Sequence, residues 1–134
     1  MYTDNGVIVR EFIADGTVTI RQAVKVTGQS NGILTVAQCA DGTHAVMGIA
    51  LETVATGKPV RVAIGGVCEA IANTTITAGT HRLLTVTSDG ELEPYAVGKI
   101  PVAMFLGAKK ASATAAANDV IDVLLVHGFI DTIV

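Results

Sequence analysis

The chain contains no tryptophan, and its three Phe and two Tyr make up only 4% of its 134 residues. Half the residues are nevertheless hydrophobic, so the apolar interior is built from aliphatic side chains. Basic charge is equally scarce: nine Lys and Arg stand against 12 Asp and Glu, for a net charge of −3. A nucleic-acid partner needs a basic footprint to neutralise phosphates, and the only adjacent basic pair here is Lys109-Lys110. Two cysteines, Cys39 and Cys68, are too few for a disulfide framework, and both sit in apolar, strand-like runs. They read as free, buried thiols acting as small hydrophobes. No stretch approaches the roughly 20 apolar residues of a membrane helix. The polar start, Met1-Tyr2-Thr3-Asp4-Asn5-Gly6, lacks the charged-then-apolar layout of a signal peptide, so cytoplasmic synthesis and no membrane partner are expected.

The abundant residues are β-branched. Val, Ile and Thr number 18, 12 and 16, about a third of the chain. Such side chains are stiff at χ1 and pack well on a pleated surface. Period-two alternation recurs. In Thr17–Val26 the residues Val18, Ile20, Val24 and Val26 share one face; in Pro59–Ile64 the set is Val60, Val62 and Ile64. Leu84–Thr87 and Glu91–Glu93, joined through Ser88-Asp89-Gly90, predict a hairpin with a type I′ turn at Asp-Gly. Further strands are expected over residues 6–13, 33–39, 45–51, 66–71, 100–106 and 120–127. Closely spaced glycine-bearing turns separate them, and the length fits one domain with one core. The fold class is therefore all-β, compact and barrel-like, with at most one or two short helices. The helical candidates are Ala-rich Ala108–Asn118, which reads equally as a small-residue loop, and more weakly Ala50–Gly57.

Residues with chemical potential form no convincing constellation. Gly28-Gln29-Ser30-Asn31-Gly32 matches the Gly-x-Ser-x-Gly elbow of serine hydrolases, with His81 or His127 as downstream partners for Ser30. That elbow requires a strand, a strained turn and a helix, whereas Ile33-Leu34-Thr35-Val36 continues here as a strand. A plain hairpin loop is the expectation. His44, His81 and His127 are widely separated, and Cys39-x4-His44 is answered by no second close pair, so no metal site and no cofactor is expected. Gly65-Gly66 predicts a bulge or a close backbone approach.

The order of elements resembles the head-decoration (capsid cement) proteins of tailed bacteriophages over roughly residues 16 to 127. The resemblance lies in Gly16–Val24, Ala45–Ala50, Gly57–Val67, Ile76–Leu83, a Gly-turned hairpin, a small-residue stretch and Val120–Leu125. Gly128–Val134 has no counterpart in that pattern. The resemblance implies a β-tulip or barrel-like fold, usually trimeric, seated on the outer capsid surface between major capsid subunits. Its role there is mechanical, with no catalytic residue. A single decoration domain over 16–134 is then preceded by an N-terminal arm, 1–15. Within the arm, Val7, Ile8, Val9, Arg10, Phe12 and Ile13 form a β-prone run able to contact the capsid protein by strand addition. The same run reads alternatively as a strand of the chain's own sheet. Competing functions are a β-domain binding module of a virion fibre or receptor-binding part, and a small Ser30 hydrolase.

Overall fold

The computed structural model describes residues 6–43, 45–87, 89–109 and 113–126, and among them every regular element is a strand. The first five are β1 (Ile8–Ala14), β2 (Ala23–Ser30), β3 (Ile33–Gln38), β4 (Val46–Ala50) and β5 (Pro59–Gly65). They close into a barrel in the order β1-β3-β2-β4-β5. The strands β6 (Val67–Ile71), β8 (Leu83–Val86), β9 (Leu92–Pro94), β10 (Ala103–Ala108) and β12 (Val120–Leu125) form a second sheet, ordered β6-β12-β10-β8-β9. A short pair, β7 (Ile76–Thr77) with β11 (Thr114–Ala115), completes the set. The domain is all-β, as the composition requires.

Two clusters of buried side chains fill it, where the chain length predicts one core. Phe12, Ala14, Val18, Val24, Val36, Ala50, Val60 and Val62 fill the barrel interior, with Ile64 packed against them. The larger cluster lies under the second sheet and includes Ile76, Leu84, Val86, Leu92, Ile121 and Val123, together with Ala23, Ile49 and Ala63 from the barrel wall. Successive strand residues point to opposite faces. Ala23 and Val24, Ile49 and Ala50, and Ala63 and Val62 therefore each supply one side chain to either cluster. This is why β4 and β5 carry near-continuous apolar runs: they are covered on both faces. The expected Val60, Val62, Ile64 face is the barrel lining. Gly48 sits where this wall is tightest, because a Cβ there would lie 2.0 Å from the Ala63 carbonyl oxygen.

Several expectations need correction. Thr17–Val26 is not one strand. Val18 makes an isolated bridge to Val54, and the chain then turns through Arg21, whose φ is +67°. Arg21 N–H donates to Ala50 O at 2.8 Å, and β2 begins only at Ala23. The hairpin from Leu84 to Pro94 is present, with Gly90 at φ +76°. Thr87 N–H donates to Glu91 O, and Gly90 N–H reaches back to Thr87 O, so the loop is longer than a two-residue type I′ turn. Within Ala108–Asn118, residues 110–112 lie outside the described set, and Thr114–Ala115 is a strand rather than a helix. Ala115 is fully buried, so small size here serves close packing. Ala50–Gly57 also lacks a helix: it ends β4, bridges Val54 to Val18 and turns at Gly57.

Gly65-Gly66 is the close backbone approach that its composition predicts. Gly66 has φ +83°, and a Cβ there would stand 2.1 Å from Gly6 O. The chain passes at this point from barrel to second sheet, pressed against the start of β1.

Candidate functional site

Asn31 (φ +51°) and Gly32 (φ +85°) form a two-residue turn with both central residues left-handed, the type I′ geometry of a tight hairpin. This joins β2 to β3, pairing Ser30 with Ile33. A register shift between Val26 and Gly28 marks a bulge in this hairpin, the irregularity that bends a strand and raises its twist. Among the described residues, little covers it beyond the bulge. Val26, Ile33 and Leu34 are 38%, 43% and 37% exposed, and Thr27 to Gly32 are all exposed. A two-stranded hairpin standing alone is marginal in water, so its apolar tip is a surface with something to gain from cover.

Beside it runs β1. Along one edge β1 pairs with β5 from Ile8 to Ile13. Along the other it pairs with β3, in parallel, only at Ile13 with Thr35 and Ala14 with Val36. Below Ile13 the two strands diverge, and among the described residues nothing pairs with that edge. The cleft between them, about 160 Å³, is lined by Arg10, Glu11, Phe12, Gly32, Ile33 and Leu34. That suits one large side chain, well short of the roughly 300–1,000 Å³ of a small-molecule site. Arg10 and Glu11 in this lining add one charge of each sign, and just before them on β1 Ile8 (58%) and Val9 (44%) are exposed.

The residues expected to form a capsid-contacting arm thus fall in three places. Ile8, Val9 and Arg10 are exposed on β1; Val7 and Ile13 are half-buried; Phe12, at 1% exposure, is a core residue of the barrel. Phe12 is therefore removed from the contact set, because its ring packs inward. Residues 1–5 lie outside the described set, and the expected boundary after residue 15 does not separate an arm, since β1 is a wall of the barrel. Sequence reasoning missed Val26, Ile33 and Leu34 as surface residues. The available signal was Ile33-Leu34 directly after the turn: adjacent strand residues face opposite ways, so one of them must be outside the hairpin's covered face.

The other candidates do not converge. Ser30 sits near the tip of the β2–β3 hairpin, without the helix a nucleophile elbow needs. His81 Nδ1 accepts the Thr77 N–H at 3.0 Å, while its backbone N–H donates to Thr77 O, which commits the residue to a turn. This turn borders a second cleft, about 270 Å³, lined by Thr80, His81, Arg82, Leu83, Pro94 and Tyr95. His44 and His127 lie outside the described residues, as does Gly128–Val134. Cys39 and Cys68 are buried and unbridged, and desolvation pushes both thiols up to about 12, far from thiolate chemistry.

One charged network ties the two halves together. Arg21 Nε donates to Glu69 Oε1 at 2.9 Å, and Lys109 Nζ reaches Glu69 Oε2 at 3.2 Å and Asp122 Oδ1 at 3.5 Å. Arg21 belongs to the barrel turn, Glu69 and Asp122 to the second sheet. The hydrogen bond from Arg21, with Lys109 beside it, holds the Glu69 carboxyl below its ordinary range. The Glu69 hydrogen bond in turn raises the Lys109 ammonium.

No family profile and no curated protein sequence matches this chain. Its fold does match a solved structure, the N base of the head fibre gp8.5 in bacteriophage phi29, with a TM-score of 0.69 at 16% sequence identity. The alignment covers 93% of this chain and 98% of that one, so barrel and second sheet together are one shared fold.

Proposed function

We propose that this chain is a structural protein of a bacteriophage head, bound to the outer surface of the shell as a decoration protein. The observation that carries the reading is the fold shared with a phage head-fibre base over 93% of the chain. The head-decoration resemblance of the sequence points the same way from independent features. Its partners in this reading are the major capsid protein and further copies of itself, most simply as a homotrimer. The contact surface we assign is the exposed face of β1 and the hairpin, centred on Ile8, Val9, Ile33 and Leu34 with Arg10 at its rim. Such a face, apolar in the middle and charged at the edge, has the layout of a protein–protein interface. The role is mechanical: added contacts hold the shell together, and no reaction is assigned.

A second reading, a base that carries a head fibre, is favoured by one observation: the matching phi29 structure is itself a head-fibre base. Purified chain added to heads stripped of it separates the two. A decoration protein binds at many sites per head and raises the temperature at which the shell melts. A fibre base binds too, but leaves shell melting unchanged. Failure to co-sediment with heads at all rejects both.

A further inference from the structure

A row of aliphatic side chains crosses the outer face of the second sheet. Val67 of β6 stands opposite Leu124 of β12, Leu124 opposite Met104 of β10, and Met104 opposite Leu83 of β8. Residues directly opposed across a pair of strands point to the same face. Their chain neighbours Cys68, Val123, Ala103 and Leu84 are buried on the core side, so the row lies outside. Val67, Leu124 and Met104 are half-buried, and Leu83 is 38% exposed. With about 4.8 Å between neighbouring strands, the row is about 14 Å long. Two residues further along their strands, Glu69 and Asp122 stand on the same face, joined by Lys109. An apolar centre bordered by charge is the layout of a protein–protein contact.

Leu83 belongs both to this row and to the cleft of about 270 Å³ that it lines with Thr80, His81, Arg82, Pro94 and Tyr95. The sheet fixes the cleft's position: Tyr95 N–H donates to Leu83 O at 2.9 Å, and Phe105 N–H to Arg82 O at 2.8 Å. The polar groups of the lining are donors. Arg82 is exposed and carries N–H groups alone. His81 Nδ1 is occupied by the Thr77 N–H, so a neutral ring has Nε2–H left to give. The Thr80 and Tyr95 hydroxyls can donate as well. Among the described residues the lining holds no acidic side chain. In a chain of net charge −3 this is a local cationic pocket, and a guanidinium fork matches a carboxylate with two parallel bonds.

We propose that the outer face of the second sheet docks an extended, apolar protein segment whose Asp or Glu carboxylate enters this cleft and is held by Arg82 and His81. Alternate side chains of an extended segment share a face about 7 Å apart, so a carboxylate and the side chains two and four residues before it span about 14 Å, the length of the row. A saccharide would use the donors but leave the aliphatic row uncovered. A polyanion such as nucleic acid would meet a single guanidinium in the lining. This surface belongs to the second sheet rather than to β1 and the hairpin, and the inference does not rest on the phage-head reading.

The probe is the peptide acetyl-Leu-Ser-Leu-Ser-Glu-amide, titrated into the isotope-labelled full chain and followed by NMR amide shifts. Saturable shifts should appear at His81, Arg82, Leu83 and Tyr95 and along the row at Met104 and Leu124. The peptide with Gln in place of Glu should bind at least about 10-fold more weakly, because a charged hydrogen bond becomes a neutral one. Arg82→Gln should weaken the Glu peptide by a similar factor. Equal binding of the Glu and Gln peptides overturns the proposal, and that comparison needs no variant to fold. Shifts confined to the cleft, shifts confined to β1 and the hairpin, or no saturable shift up to about 10 mM peptide overturn it as well. Glucuronic acid is titrated in parallel: tighter binding than the peptide at the same amides would make the cleft a saccharide site and refute the protein partner.

Discussion

Replacing Gly66 by alanine probes the joint on which the two halves of the fold and the start of β1 all meet. Three costs add. A non-glycine residue at φ +83° loses about 1–2 kcal/mol from the clash of its Cβ with the backbone. The new Cβ would also lie 2.1 Å from Gly6 O and 2.8 Å from Val7 Cα. Ordinary carbon–oxygen contacts are about 3.3–3.6 Å, so the backbone must part by more than 1 Å. Overpacking of this kind typically costs about 1–3 kcal/mol. Moving the Gly66 carbonyl also endangers its bond from Leu125 N–H, worth about 1 kcal/mol. The total is about 3–6 kcal/mol, a large part of the roughly 5–15 kcal/mol of a typical domain. Gly57→Ala is the control: its φ is +85°, but nothing lies within 4 Å of the new Cβ, so only the conformational cost applies. Urea unfolding followed by circular dichroism measures both, since the chain has no tryptophan to report by fluorescence. Gly66→Ala should exceed Gly57→Ala by at least about 2 kcal/mol. Equal costs would mean that the Gly6–Gly66 contact does not hold β1 to the joint.

Phe12→Ala empties the barrel interior and should cost about 3–5 kcal/mol in the same assay. Ile8→Ser and Leu34→Ser, on the exposed face, should change stability by less than about 0.5 kcal/mol yet weaken binding to phage heads. Glu69→Gln removes the acceptor shared by Arg21 and Lys109; with Glu69 37% exposed, solvent screening limits the loss to at most about 1 kcal/mol. The folded carboxyl of Glu69 is depressed below 4.5, so its contribution is present above that value and lost as pH falls through the folded one. Wild-type stability should therefore decline below about pH 4.5 more steeply than that of Glu69→Gln, a difference read from urea midpoints between pH 3 and 6. Cys39 and Cys68 should resist a thiol reagent at pH 8 in the folded protein, because burial pushes both to about 12, and react at once in denaturant.

Much of this fold is legible in the sequence because alternation is a local signal. Val60, Val62 and Ile64 share a face by periodicity alone, and that face is the barrel lining. Asn31-Gly32 marks a hairpin for a reason internal to its own backbone, and Gly65-Gly66 marks a close approach in the same way. Alternation does not report what covers each face. Ala63 falls on the outward side of its strand, yet it is buried because the second sheet packs there. Conversely, Ile33 and Leu34 belong to a well-formed strand but are exposed, since β3 pairs with β1 only at Thr35 and Val36 and diverges from it before them. The break at Arg21 is hidden too: its left-handed backbone is held by Ala50 O and its side chain by Glu69, both distant in sequence. Phe12 escapes for the same reason, as nothing local distinguishes an arm that waits for a partner from a strand already built into a wall.

The direct test of a place on the phage head is to purify virus particles from a culture that expresses this chain and examine them by mass spectrometry and cryo-EM. A decoration protein should be present at a fixed ratio to the major capsid protein. Density matching the barrel and second sheet should stand on the outer face of the head, with the hairpin and β1 toward the shell. A chain absent from particles, or found only in the tail or inside the head, would contradict it.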